Sequence, residues 1–127
     1  MKKEKFHIEY IFDKVSRRSL WNHLTTPPGL SAWFADDVLI KENRYVFVWK
    51  KTEQEAEVLS TKPEISIRFR WKEEEDKNAY FEFQIHTHEL TGSTSLQITD
   101  FAEADEKADS IDLWDTQIET LKRTLGI

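Results

Sequence analysis

Apolar and polar residues alternate along most of this chain, and that period of two gives way to a helical period in two places. Phe6, Ile8, Tyr10 and Phe12 alternate with His7, Glu9 and Ile11, which predicts a half-buried first strand. Arg17 to Thr25 then reads as a short helix with Leu20, Trp21 and Leu24 inward. Either Ser16 or Asp13 supplies its N-cap, and Pro27-Pro28-Gly29 stops it. Leu30, Trp33 and Phe34, spaced by three and four, predict a second short helix.

From Val38 the period returns to two. Val38 to Ile40 is a brief strand, Glu42-Asn43 a tight turn, and Arg44 to Lys51 a longer strand. In that strand Tyr45, Phe47 and Trp49 share one face, and Val46 and Val48 share the other. Glu55 to Thr61 follows, with Ala56 and Val58 opposite Glu55 and Glu57, and Lys62-Pro63 turns the chain. Ile65, Ile67, Phe69 and Trp71 alternate cleanly with Ser66, Arg68, Arg70 and Lys72. After a charged loop at 73–78, Phe81, Phe83, Ile85 and Thr87 alternate with Glu82, Gln84, His86 and His88. Leu96 and Ile98 mark a last strand that ends near Phe101. Ala104 to Leu125 is then one long amphipathic helix, with Ile111, Trp114, Ile118, Leu121 and Leu125 on one stripe.

The order is one strand, two short helices, six strands and a long helix. Short connections between the six strands make an antiparallel meander. Strict alternation gives the sheet one dry and one wet face. The dry face needs a cover, and the terminal helix carries the matching stripe. The expected class is α+β, in a single domain spanning residues 1–127.

Composition narrows the chemistry. The chain has no cysteine, so disulfides, zinc ribbons and thiol catalysis are excluded. That absence and the polar N-terminus, which lacks an apolar signal segment, lead to the expectation of a cytoplasmic protein without membrane insertion. A net charge of −6 argues against nucleic-acid binding. The charge is uneven: residues 1–72 carry a balance of +4 and residues 73–127 one of −10. Two readings follow, a solvated acidic face on the last helix or an acidic docking surface for a protein partner.

The run from Val15 through Ser16, Arg17, Arg18, Ser19, Leu20, Trp21, Asn22, His23 and Leu24 to Thr25, followed by Pro27, Leu30, Trp33 and Phe34, resembles the START-like superfamily, whose fold is also called the helix-grip or birch-pollen-allergen-like fold. Within it the chain looks most like the branch named for homologues of a chaperone-ATPase activator. The stripe from Trp114 to Leu121 resembles that branch's closing helix. Asp13 to Ser16 and Lys41 to Arg44 depart from the small-residue-Pro and Gly-rich turns common in the family. The resemblance implies a curved seven-stranded antiparallel sheet gripping the C-terminal helix, often with a cavity between them. Members include lipid and hormone binders, polyketide cyclases and aromatases, and chaperone cofactors, among which fold alone does not choose.

Under that fold the interior would bring together Trp33, Phe34, Tyr45, Phe47, Trp49, Phe69, Trp71, Phe81, Phe83, Trp114 and Ile118. These residues are read either as a packed core or as the lining of a pocket for an apolar or amphipathic small molecule, lipid-like or aromatic. No cofactor is expected. His86 and His88 share a strand face and thus could share a metal, but they sit on the wet side without a third ligand, so no metal site is assigned. Asp100 has the inward parity of Leu96 and Ile98, and Asp36 and Asp37 stand near the expected pocket mouth. These are the candidates for acid–base chemistry, and no catalytic set is assigned from them. Arg68, Arg70 and Lys72 form a basic outer strip balanced by Glu55, Glu57 and Glu82. The leading expectation is a small-molecule binder. A protein-interaction or chaperone-cofactor module with a filled core is the alternative, an enzyme of cyclase or hydrolase type is third, and a homodimer is compatible with each.

Overall fold

Seven strands lie in one antiparallel sheet, in the order β1-β7-β6-β5-β4-β3-β2. The structure, a computed structural model, describes residues 3–127; Met1 and Lys2, at the head of the polar N-terminus, lie outside the described residues. The elements run β1 (Glu4–Phe12), α1 (Arg17–Thr25), α2 (Pro27–Ser31), β2 (Asp37–Lys41), β3 (Arg44–Trp49), β4 (Thr52–Lys62), β5 (Ser66–Trp71), β6 (Phe81–Thr87), β7 (Thr94–Ala102) and α3 (Lys107–Leu125). The strands from β2 to β7 are a plain meander, and β1 closes the order by pairing with β7. This is the α+β arrangement expected from the alternation and the terminal stripe, in the helix-grip form that the resemblance implies. A register shift between Val58 and Ser60 bends β4.

The helix ends follow local chemistry. Ser16, not Asp13, caps α1, its side chain accepting from the Ser19 amide at 3.1 Å. The prolines that end α1 also begin α2. Pro27 and Pro28 occupy the first helical turn, where a missing N–H costs nothing, and Thr26 Oγ1 accepts from the Gly29 amide. The second helix is therefore shifted from the sequence expectation: it stops at Ser31, and Trp33 and Phe34 fall in the turn after it. The last helix also starts later than expected, at Lys107, because 103–106 forms a turn closed by the Glu106 amide and Glu103 carbonyl. Its apolar stripe begins only at Ile111, so periodicity alone leaves the start open.

One face of the sheet and the stripe of α3 make the core. Phe12, Phe47, Phe69, Phe83, Leu96, Ile98 and Leu121 are fully buried, joined by Leu20, Leu24 and Leu30 from the two short helices. Lys107 lies over the Phe6 ring and Lys122 over the Phe12 ring, so α3 runs along β1 in the same direction. A helix is about 10–12 Å across, whereas seven strands at about 4.8 Å spacing span roughly 29 Å. One helix cannot cover such a sheet. On the β3–β5 side, Trp49 and Trp71 at the strand ends stay only half-buried.

Candidate functional site

The uncovered strip becomes a cleft of about 410 Å³ between α3 and the ends of β3, β4 and β5. Its sheet side carries Trp49, Thr52, Gln54 and Trp71. Thr52 and Gln54 face Trp49 and Phe47 across the β3–β4 ladder and share the inward parity of Ala56. Phe34 comes from the turn after α2. The roof is Ser110, Leu113, Trp114 and Gln117, an i, i+3, i+4, i+7 stripe on α3. That stripe lies beside the buried one and shares Trp114 with it. Asp100, near the end of β7, completes the lining.

Hydrogen bonds hold the aromatic walls in place. The Phe34 carbonyl accepts from Trp49 Nε1 at 3.1 Å and from Gln117 Nε2 at 3.2 Å, joining β3 and α3 at one oxygen. Phe34 and Trp114 stack with centroids 5.8 Å apart, and Trp71 stacks on Phe81 at 4.8 Å. Trp114 Nε1 donates to Asp100 Oδ2 at 2.8 Å, and the Phe101 amide donates to Oδ1 at 2.7 Å. Burial pushes the Asp100 carboxyl above its ordinary value, while these two N–H donors pull it back.

The candidate residues divide by position. Phe34, Trp49, Trp71 and Trp114 line the cleft. Tyr45, Phe47, Phe69, Phe81, Phe83 and Ile118 are buried in the packed interior, where Phe69 and Phe81 stack at 4.9 Å. Tyr45 also reaches out of that interior, its hydroxyl donating to the Thr25 carbonyl at 2.7 Å. Trp33 is buried too and donates its indole N–H to the His23 carbonyl at 2.8 Å; it borders a shallow depression beside α2 that shares Phe34, Trp49 and Gln117 with the cleft. Asp36 lines that depression, and both Asp36 and Asp37 are exposed. The sequence reading did not single out Thr52, Gln54, Ser110, Leu113 or Gln117. Continued parity along β4, and the second stripe on α3, are the signals that point to them.

The remaining titratable clusters lie elsewhere. His7 Nδ1 is 2.8 Å from Thr99 Oγ1 on the outer sheet face. His88 lies near Glu9 and Ser95, and His86 Nε2 is buried without a hydrogen-bond partner among the described residues. The basic strip is balanced as the alternation suggests: Arg68 pairs with Glu82 at 3.0 Å, and Lys72 lies 3.5 Å from Glu55. Glu103, Asp105 and Glu106 crowd the turn before α3, and the neighbouring Glu103 raises the Glu106 carboxyl. No helix among the described residues is long and apolar enough to cross a membrane.

A family model described as a START-like superfamily domain matches residues 1–127. Among solved structures, BfR322 from Bacteroides fragilis is 42% identical, with 100% of this chain and 94% of that chain covered and a TM-score of 0.71. The Aha1 dimer from Colwellia psychrerythraea is 19% identical, covering 98% of this chain and 97% of that chain with a TM-score of 0.82. MLL2253 from Mesorhizobium loti is 16% identical, covering 96% of each chain with a TM-score of 0.77. The last two similarities are of fold alone. No curated protein matches the chain.

Proposed function

The chain belongs to the START-like superfamily, and we propose that it is a binding domain that takes an apolar or amphipathic small molecule in the cleft between α3 and the ends of β3–β5. The observation that carries this reading is the cleft itself. Its volume of about 410 Å³ falls within the roughly 300–1,000 Å³ of small-molecule pockets, and its lining has their character of aromatic walls with a few convergent polar groups. Three of the five tryptophans stand around it. Removal of apolar ligand surface from water would drive binding by about 25 cal/mol per Å² before association costs. The ring-filled interior beside the cleft confines the ligand to this end of the sheet.

The test is tryptophan fluorescence of the folded protein titrated with fatty acids, sterols, aromatic polyketides and simple alkyl amphiphiles. Saturable quenching or a spectral shift, lost in Trp114→Ala but retained in a variant far from the cleft, supports the reading. A flat response across the whole panel counts against it.

A second reading, a protein-interaction module, draws on the filled interior behind the cleft and on the fold shared with an Aha1 dimer. It predicts a concentration-dependent mass in analytical ultracentrifugation.

A further inference from the structure

Resting on the small-molecule reading of the cleft, we propose that its ligand is an organic cation: an amphiphile whose ammonium group sits among the tryptophan rings next to Asp100, with its apolar body along the aromatic wall. Three separate features of the cleft point to this class.

The first is the state of Asp100. Its carboxylate lies in the cleft wall and is mostly withdrawn from water. Both hydrogen bonds it accepts come from neutral donors, the Trp114 indole and the Phe101 amide. A carboxylate has about four acceptor positions, so acceptor capacity remains. It is in no salt bridge among the described residues, and the two charges that act on it through space, Lys3 and Glu74, oppose each other and are paired together at 2.7 Å. Holding a charge in such a place is costly unless a counter-charge arrives, and a ligand cation supplies one.

The second is the ring arrangement. Phe34 lies 5.8 Å from both Trp49 and Trp114, and Trp49 lies 6.3 Å from Trp71, measured between centroids. A cation held within about 6 Å of such faces is attracted by their quadrupoles, tryptophan most strongly. The protein's own cations are placed elsewhere. Among the described residues, Lys5 and Arg68 sit over Tyr80, Lys107 over Phe6 and Lys122 over Phe12. The tryptophan faces of the cleft carry none of them.

The third is the field at the mouth. The groove that shares Gln54 and Trp71 with the cleft is lined by Glu73, Glu74 and Glu75, by Asp76 and Glu103, which are themselves partnered, and, among the described residues, by one cation, Lys3. Lys3 is tied to Glu74 at 2.7 Å. The groove that shares Ser110 and Leu113 also borders Lys3 and adds Glu106 and Asp109. An anionic headgroup approaching by either route meets repulsion, and a cation is steered inward. Part of the acidic excess of residues 73–127 thereby lies around this opening.

The experiment compares three eight-carbon probes that differ in their heads: octyltrimethylammonium, octanol and octanoate. Each is titrated against the full chain below its micelle concentration, at neutral pH and fixed salt, with the fold monitored by circular dichroism. The expected result is that the ammonium binds at least about tenfold more tightly than octanol, a ratio equal to ~1.4 kcal/mol, and that octanoate binds weakest. Asp100→Asn should reduce the ammonium-to-octanol ratio to about threefold or less, in keeping with a remaining exposed-site cation–π contribution of under ~1 kcal/mol. Should that variant not fold, the wild-type protein still decides. The indole N–H resonance of Trp114, assigned by its loss in Trp114→Phe, should shift on saturation with the ammonium and move far less with octanol. Equal binding of the three heads overturns the charge assignment and leaves an apolar cleft standing. A preference that survives Asp100→Asn undiminished removes Asp100 from it. Failure of all three probes to bind overturns the small-molecule reading as well.

Discussion

Trp114 Nε1 and Asp100 Oδ2 are 2.8 Å apart, and the hydrogen bond between them joins the middle of α3 to the end of β7. The bond fixes the indole plane that forms one wall of the cleft. It also gives a poorly hydrated carboxylate one of its two donors, the other being the Phe101 amide. Stability and binding are thus coupled at this pair, and removing either partner should change both.

Asp100→Asn should alter the pH dependence of stability. Burial raises the folded-state carboxyl above its ordinary value of 3.8. Ionised Asp100 therefore penalises the fold, fully at pH above the raised value, and the penalty fades as pH falls towards the ordinary value and below. Urea denaturation from pH 3 to pH 8 should show the wild type losing stability relative to the asparagine variant as pH rises. Parallel curves over that range would show that Asp100 is not held in this way.

Trp114→Phe and Trp114→Ala should separate the hydrogen bond from the packing. Phenylalanine keeps an aromatic ring opposite Phe34 but removes the donor, at a cost of about 1–3 kcal/mol for a buried acceptor losing its partner. Alanine also opens a cavity beside Phe81 and Phe83, whose rings lie 6.4 and 5.9 Å from the indole, for a total of about 3–5 kcal/mol. Equal midpoints for the two variants would contradict this division.

Trp71→Ala and Phe47→Ala should differ in kind. Phe47 is fully buried and does not itself line the cleft, although its ring packs behind Phe34, Trp49 and Trp71, so its truncation should cost about 3–5 kcal/mol. Trp71 is half-buried and walls the cleft. Its truncation should cost less, about 2 kcal/mol, while weakening octyltrimethylammonium binding roughly threefold through loss of one ring face. Paired denaturation and titration measurements check both halves.

Gly29→Ala should be among the most damaging small changes in the chain. A Cβ there would stand 2.2 Å from the Asn22 carbonyl oxygen and 2.6 Å from His23 Cα, both backbone atoms of α1. Neither can step aside without separating the two helices, so a cost of about 3 kcal/mol is expected, at the upper end for overpacking. Gly92→Ala provides the contrast. It meets open space and only the strain of a left-handed residue at φ +71°, about 1–2 kcal/mol. A thermal midpoint for Gly29→Ala above that of Gly92→Ala would refute the packing argument.

Tyr10→Phe tests another tie of α3 to the sheet. The Tyr10 hydroxyl donates to Asp115 Oδ1 at 2.6 Å, and burial, followed by that carboxylate, raises the phenol above its ordinary range. Losing the bond should cost about 0.5–1.5 kcal/mol without changing ligand uptake, since neither residue lines the cleft.

Much of this architecture was readable from periodicity, because parity along a strand and spacing along a helix are local properties. Phe81, Phe83 and Ile85 face the core because alternate residues share a face, and Ile118 and Leu121 do so because they fall on one stripe. The same parity placed Asp100 inward. Local pattern was weakest where the chain could choose between adjacent residues for a helix end, as at Pro27 and Lys107, and where a residue such as Trp33 lies in a turn. Tertiary structure alone decided which aromatic residues border open space. Tyr45 and Trp49 share a strand face, yet one is buried with the core and the other walls the cleft. That difference depends on α3 lying along β1, too narrow to cover seven strands. The sequence by itself therefore determined the sheet, its dry face and the helix that covers it. The opening, and the meeting of Phe34, Gln117, Asp100 and Trp114 around it, came from contacts between residues 14 to 83 positions apart, which no local period encodes.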